Sequence, residues 1–116
     1  MSDLFAFKIL TPDQYARFKA DGVFHGAPVD LADGYIHMST RDQAAETAAK
    51  HFAGQDGLVM LMIDLAAFGE AVRWEESRGG ALFPHLYGQP LTMAAVAGKV
   101  VLRLDESGRH QFPAGF

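Results

Sequence analysis

The segment LVMLMID, residues 58–64, has six consecutive apolar positions before its closing aspartate. Successive side chains of a β-strand point to opposite faces, so a strand here would be apolar on both faces. A strand of that kind lies at the centre of a sheet that other elements cover on both sides. The run is far shorter than the roughly 20 apolar residues of a membrane-spanning helix. It therefore predicts the central strand of a layered globular domain.

Size and composition narrow the class of protein further. The chain has 116 residues, which predicts one domain over residues 1–116. It has no cysteine, which excludes disulfides and thiolate metal sites and fits a reducing compartment. The segment MSDLFAFKIL has neither the basic start nor the long apolar stretch of a signal peptide. We therefore expect a cytoplasmic protein that does not associate with membranes.

The charge pattern limits the partners. The formal net charge is −4, and no run of basic residues occurs. Nucleic-acid binding through a broad positive surface is therefore not expected. A small-molecule ligand fits this composition better, and one or two arginines could hold an anionic group on it. The sequence does not indicate an oligomeric state.

Two segments carry helix-start signals. Thr11 is followed three residues later by Gln14, which is the pattern of a capping box. Thr40 and Gln43 repeat that pattern. We predict one helix in each segment, over residues 11–22 and 41–53.

The remaining segments divide into predicted strands and loops. Alternating or continuous apolar patterns predict strands, and clusters of glycine and proline predict loops. Because both helices come early and most strands come late, we expect an α+β fold with a mixed or antiparallel sheet. The predicted strands cover residues 4–10, 35–39, 58–64, 71–76, 96–105 and 110–112, the predicted loops cover residues 23–34 and 77–90, and a turn covers residues 106–109.

The segment YIHMS, residues 35–39, is the first candidate for chemistry. Its alternation places His37 and Ser39 on one face of a strand, roughly 7 Å apart, and Ile36 and Met38 on the core face. Imidazole and hydroxyl groups both donate and accept hydrogen bonds, which suits a hydroxyl-rich ligand. The alternative is the half-exposed polar face of an edge strand.

The segment VRWEESRGGALFPHLYG, residues 72–88, is the second candidate. Trp74 offers a flat apolar surface, whereas Arg73 and Glu75 point to the opposite face of the strand. His85 and Tyr87 follow in a predicted loop, and binding residues concentrate in loops. The alternative is that Arg73 and Glu75 form a surface ion pair of little energetic value and that Trp74 belongs to the core.

Four segments, taken in order, resemble a small bacterial and plant family catalogued as domain of unknown function 952. They are DGYIHMST, HFAG, VRWEESRGGALFPHLYG and LDESGRHQFP. The resemblance implies a fold similar to the ADP-ribosyltransferase fold, in which a split, strongly curved antiparallel sheet surrounds a cleft that holds NAD. It implies NAD as a substrate, with transfer or hydrolysis at its N-glycosidic bond. A likeness of fold does not by itself establish a function.

The same resemblance assigns roles to the candidate residues. It implies that His37 binds the ribose 2′-hydroxyl of NAD and that Ser39 supports it. In that pattern an aromatic ring stacks on nicotinamide, and a third residue, often a glutamate, steadies the ribosyl cation. No glutamate stands clearly on the last strands here, which departs from the pattern. The expected catalytic residues are His37, Glu75 and His85, with the last two as alternatives for the third position, and the expected ligand contacts are Ser39, Arg73, Trp74 and Tyr87, with the last two as alternatives for stacking.

Two other functions compete with this one. A non-catalytic module could bind a nucleotide or another small metabolite through the same cleft. A zinc hydrolase that uses His37, His85 and Glu75 or Glu76 ranks lower, because no i, i+4 histidine pair or dense acidic cluster occurs, and we expect no metal. A shared site requires the two imidazoles to meet at one cleft. Rings on opposite sides of the molecule would exclude it.

Overall fold

The structure is a computed structural model of the chain, and it describes residues 4–114 and residue 116. Within these residues lie three α-helices and eight β-strands, joined by short turns. In chain order they are β1 Phe5–Leu10, α1 Pro12–Asp21, β2 Val23–Phe24, α2 Pro28–Asp33, β3 Ile36–His37, α3 Arg41–His51, β4 Leu58–Asp64, β5 Val72–Glu76, β6 Leu82–Leu86, β7 Leu91–Thr92 and β8 Val96–Leu102.

The strands form two three-stranded antiparallel sheets, in the orders β1-β4-β8 and β3-β6-β5, and a small ribbon of β2 and β7. β4 is the middle strand of the first sheet. Its residues Leu61 and Ile63 pack into one buried cluster, and its residues Leu58 and Met60 pack into a second. Since these pairs alternate along the strand, both faces of the sheet are covered. The predicted central strand and the α+β class are thus confirmed.

The two large sheets meet where the chain leaves β3. The backbone N–H of Phe7 on β1 donates to the carbonyl of Ser39 at 2.7 Å, and the N–H of Ser39 donates to the carbonyl of Phe7 at 2.9 Å. One residue earlier, the N–H of Met38 donates to the carbonyl of Pro84 on β6 at 3.0 Å. The segment around His37 therefore contacts both sheets at once.

Both predicted helices are confirmed, with their capping boxes. The Thr11 hydroxyl accepts from the Gln14 N–H at 3.2 Å, and the Gln14 side chain accepts from the Thr11 N–H at 3.0 Å. α3 begins in the same way at Thr40. Its small residues Ala44 and Ala48 are fully buried against the first sheet. In the described residues, no helix has both the length and the apolar character that crossing a bilayer requires.

The prediction of a loop over residues 23–34 was wrong in part, because this segment holds β2 and the third helix, α2. That helix lacks the threonine start of the other two. The carboxylate of Asp30 accepts from the Ala27 N–H at 2.7 Å and so satisfies the helix N-terminus from inside the first turn. A helix of six residues with such a start has little signal in a segment where glycine, proline and aspartate interrupt the apolar residues.

The prediction of a loop over residues 77–90 was also wrong in part, because residues 82–86 form β6, the middle strand of the second sheet. Gly79 and Gly80 take positive φ angles of 66° and 79° and reverse the chain between β5 and β6. Pro84 favoured the loop interpretation because it has no N–H for a ladder. Its carbonyl still accepts from Met38. The predicted last strand over residues 110–112 is reduced to one bridge between Leu104 and His110.

The burial of β4 predicts where the fold is most sensitive to truncation. Leu61→Ala should lower the free energy of unfolding by about 2–5 kcal/mol, because Leu61 is fully buried and the change leaves a cavity. Val101→Ala, on the edge strand β8 and 42% exposed, is the matched control and should change it by less than about 1 kcal/mol. Urea unfolding followed by circular dichroism measures both. Equal losses would contradict a core centred on β4.

Candidate functional site

Four ring side chains lie in contact at the second sheet, two on its strands and two on residues directly beside those strands. His37 and His85 are directly paired across β3 and β6, and their ring centroids are 5.4 Å apart. Tyr35 stacks on His85 at 4.3 Å and lies 4.6 Å from His37 and 5.0 Å from Tyr87. We call these four residues the ring cluster. The two imidazoles that a shared site requires therefore lie side by side.

Glu75 holds one side of the ring cluster. Its Oε1 atom accepts from the Tyr87 hydroxyl at 2.6 Å and lies 2.8 Å from Nδ1 of His85. The Tyr87 hydrogen bond, followed by that of His85, holds the pKa of Glu75 below its usual value. The Glu75 contact in turn raises the pKa of Tyr87 to about 12. Since an ionised carboxylate only accepts hydrogen bonds, this geometry assigns the ring hydrogen of His85 to Nδ1.

Asp30 contacts the ring cluster at His37, on the side away from Glu75. It is 1% exposed, and its Oδ1 atom lies 2.6 Å from Nδ1 of His37 and accepts from the His37 N–H at 3.0 Å. Its Oδ2 atom accepts from the ammonium group of Lys8 at 3.0 Å. Lys8, itself buried, also donates to the carbonyl of His37 at 2.8 Å. Lys8 and Asp30 therefore fix both the ring and the backbone of His37.

The pKa values of this buried pair follow from opposing effects. Burial alone would raise the pKa of Asp30, but the hydrogen bond from His37 and the charge of Lys8 outweigh it and lower that pKa to about 2. Burial lowers the pKa of Lys8, against the attraction of Asp30. Every buried polar side-chain atom in the described part of the chain has a hydrogen-bond partner. The polar atoms of both side chains therefore have partners in the interior.

The second ring nitrogen of His37 meets another carboxylate. Nε2 lies 2.9 Å from Oδ2 of Asp33, whose side chain is 45% exposed at the end of α2. A neutral imidazole carries one N–H and can donate to one carboxylate, whereas a protonated ring can donate to two. His37 thus bridges a buried carboxylate and an exposed one.

A cavity of about 560 Å³ lies beside the ring cluster, at the junction of the two sheets. Its volume is in the range of small-molecule sites. Ser39 borders it but is buried, and the Ser39 hydroxyl lies 2.8 Å from the Thr47 hydroxyl on α3. We call it the junction cavity, and it is bordered among others by Lys8, Asp33, His37, Ser39, Thr47 and His85.

The structure divides the candidates from VRWEESRGGALFPHLYG between two faces. The Arg73 guanidinium lies over the Tyr87 ring at 4.5 Å, and Glu75 contacts both Tyr87 and His85. Trp74 alternates with them and packs, half buried, against the larger core cluster. Of the two rings expected to stack on a ligand, the structure therefore brings Tyr87 to the ring cluster and leaves Trp74 in the core.

Sequence reasoning missed four members of the site: Lys8, Asp30, Asp33 and Tyr35. Tyr35 shares the strand face of His37, so the alternation in YIHMS pointed to it. Lys8 carried a signal as the one charged residue of the apolar strand β1. Asp30 carried none, because it lies in a segment that looked like a loop. Among the described residues, no group of three His, Cys, Asp or Glu side chains could hold a metal ion, so the zinc hydrolase hypothesis is given no ligand set there.

These features define a class of protein, which is a small α+β domain with open antiparallel sheets and a buried polar cluster where the sheets meet. The chain belongs to the family described as Protein of unknown function (DUF952), which matches residues 9–99. That family was expected from the four segments quoted above, and it is confirmed.

Solved structures show the same fold. The crystal structure of protein CC0527 from Caulobacter crescentus is similar with a TM-score of 0.87 and 48% identity, covering 92% of this chain and 93% of that one. The solution NMR structure of CC0527 gives a TM-score of 0.83 at 48% identity, covering 94% of this chain and 93% of that one. No curated protein sequence matches this chain.

The Asp30 environment predicts a pH dependence of stability. The pKa of Asp30 in the folded protein, about 2, lies below its ordinary value of 3.8. The stabilisation is therefore complete above pH 3.8 and is lost as the pH falls towards 2, by about 2 kcal/mol. Urea unfolding of the wild type across this range measures the loss.

Asp30→Asn separates this carboxylate from the others. The variant should be about 3 kcal/mol less stable at neutral pH, because the buried Lys8 loses its counter-charge. Its remaining stability should fall less steeply with acid than that of the wild type, since the group that takes up the proton is gone. Parallel acid profiles for the two proteins would contradict the low pKa of Asp30.

Proposed function

We propose that the junction cavity binds NAD or an ADP-ribosyl compound, and that the ring cluster acts on its N-glycosidic bond. The observation that carries the proposal is the pairing of His37 and His85 across β3 and β6 at the border of this cavity. Each ring has its Nδ1 atom against a carboxylate, Asp30 or Glu75. Two oriented imidazoles beside a cavity of this size suit a ligand with ribose hydroxyls.

The proposal extends to the fold, which we place near the ADP-ribosyltransferase fold. Two three-stranded antiparallel sheets that meet at the Phe7–Ser39 bridge, with a cavity beside the meeting point, support this assignment. The junction would then be the split in the curved sheet where NAD lies.

The geometry favours His85 over Glu75 for direct contact with the ligand. His85 borders the junction cavity, and Glu75 lies behind it as the acceptor for Nδ1. With its hydrogen on Nδ1, the ring keeps a lone pair on Nε2 and can act as a general base. Glu75 would then steady the imidazolium that forms, in the way a carboxylate supports a catalytic histidine.

The expected reaction is a substitution at the ribose carbon that carries nicotinamide. An acceptor hydroxyl or water attacks the ribose carbon C1′ while His85 takes up its proton. Nicotinamide leaves with the electron pair of the glycosidic bond, through a centre of oxocarbenium character. His37 would contact the ligand through Nε2, next to Ser39. Of the two rings expected to stack, Tyr87 lies in the ring cluster and Trp74 packs against the core, so Tyr87 is the ring that a ligand extending from the cavity across the ring cluster would contact.

A non-catalytic binding module is the second candidate, and one observation favours it. His85 is 3% exposed, and both ring nitrogens of His37 already face carboxylates. Groups held this firmly suit recognition of a nucleotide or metabolite as well as they suit turnover.

A calorimetric titration with NAD, run beside an assay of nicotinamide release, tests the proposal. Wild type should bind NAD and release nicotinamide. Glu75→Gln should lower the release rate at least tenfold, because a neutral amide cannot stabilise the His85 imidazolium, and should change the dissociation constant less than about threefold. Glu106→Gln, the same chemical change at an exposed turn, is the matched control and should behave as wild type.

The outcomes separate the two candidates. If NAD at up to millimolar concentration produces no binding heat and no nicotinamide, the proposed ligand is excluded. Binding without release, unaltered by Glu75→Gln, would establish the non-catalytic module.

A further inference from the structure

The charged groups around the junction cavity are unevenly distributed. Lys8, His37, His51 and His85 border it and can carry positive charge. Asp33 is the one carboxylate among the described residues that border it. Among the titratable residues that border this cavity, the basic ones therefore outnumber the acidic ones, although the whole protein has a net charge of −4.

The two carboxylates that contact His37 differ in how firmly they are held. Asp30 is 1% exposed, and its oxygens also accept from Lys8 and from the Ala27 and His37 N–H groups. Asp33 is 45% exposed, and its contact with Nε2 spans four residues of one short stretch of chain. An exposed ion pair of this kind is weak and readily exchanged for another partner, whereas a buried, multiply bonded carboxylate stays in place.

We propose that Asp33 occupies an anion position at Nε2 of His37, and that a phosphate group of the ligand takes this position when the Asp33 side chain turns away. Asp30, neutralised by Lys8, is the positioning residue that keeps the ring oriented during the exchange. An imidazolium offers a phosphate oxygen a charge-assisted hydrogen bond, as it offers one to a carboxylate. The inference rests on the proposed function only in placing the ligand in the junction cavity.

The position selects for charge as well as for shape. A neutral hydroxyl in this position would leave the His37 ring without the anionic partner that it faces in the structure. A phosphate replaces one anion by another and moves the Asp33 charge into solvent. Asp33 thus discriminates against neutral ligands and competes with anionic ones.

NMR spectra that correlate the imidazole nitrogens with their ring protons test this directly, with inorganic phosphate as the probe. Phosphate should shift the Nε2 signal of His37 in the wild type. Asp33→Asn should bind phosphate at least fivefold more tightly, because the competing charge is gone. Asp21→Asn, at the exposed end of α1, removes the same charge away from the cavity and should stay within twofold of wild type.

Other results would overturn the inference. If the Asp33 and Asp21 variants gain equally in phosphate affinity, the gain comes from net charge alone. Phosphate that leaves the His37 signals unmoved, or acetate that binds as tightly as phosphate, would exclude a phosphate position. The Nδ1–H signal of His37 should persist in Asp33→Asn, and its presence also shows that this variant is folded. If the wild type lacks this signal, Asp30 does not position the His37 ring.

The phosphate experiment and the NAD experiment fail independently. Tighter phosphate binding in Asp33→Asn without any NAD binding would support the anion position and exclude the proposed ligand. If the wild type releases nicotinamide from NAD but Asp33→Asn does not alter phosphate binding, the proposed function is supported and the anion position is excluded.

Discussion

The buried ion pair between Lys8 and Asp30 is the interaction on which the rest of the site depends. It joins β1 to α2, and through the hydrogen bonds to His37 it joins both to β3. The same aspartate satisfies the N-terminus of α2 at Ala27. A buried charge pair of this kind adds little stability over an apolar substitute, but losing either partner leaves an unpaired charge in the interior. It therefore specifies how three elements meet more than it strengthens the fold.

The two histidines of the ring cluster share one arrangement in different surroundings. Each places Nδ1 against a carboxylate oxygen, which leaves Nε2 as the nitrogen that can meet other groups. The partner of His37 is buried and neutralised by an ammonium group, whereas Glu75, the partner of His85, is 37% exposed and lies beside a tyrosine hydroxyl. One sheet therefore carries two imidazoles of different electrostatic character within contact distance.

Local patterns in the sequence predicted the elements whose causes are local. The continuous apolar run located β4, the two capping boxes located α1 and α3, and strand alternation separated Trp74 from Glu75. The resemblance led us to expect His37 and His85 at one cleft, but their direct pairing across β3 and β6 was not predicted, because His85 was placed in a loop. The two elements that the sequence did not predict, α2 and β6, depend on groups distant along the chain. α2 relies on a carboxylate that Lys8 neutralises, and β6 tolerates Pro84 because its carbonyl is bonded from Met38.

The seam between the two large sheets is narrow. In the described part of the chain, β1 pairs with β4 at six positions but meets the segment after β3 at the Phe7–Ser39 bridge. Side-chain packing makes up the rest of the junction, because Leu61 of β4 lies in one buried cluster with Ile36 of β3 and Leu86 of β6. The distance between Lys8 on one sheet and His85 on the other, and with it the width of the cavity, is therefore set by a shared core more than by backbone pairing.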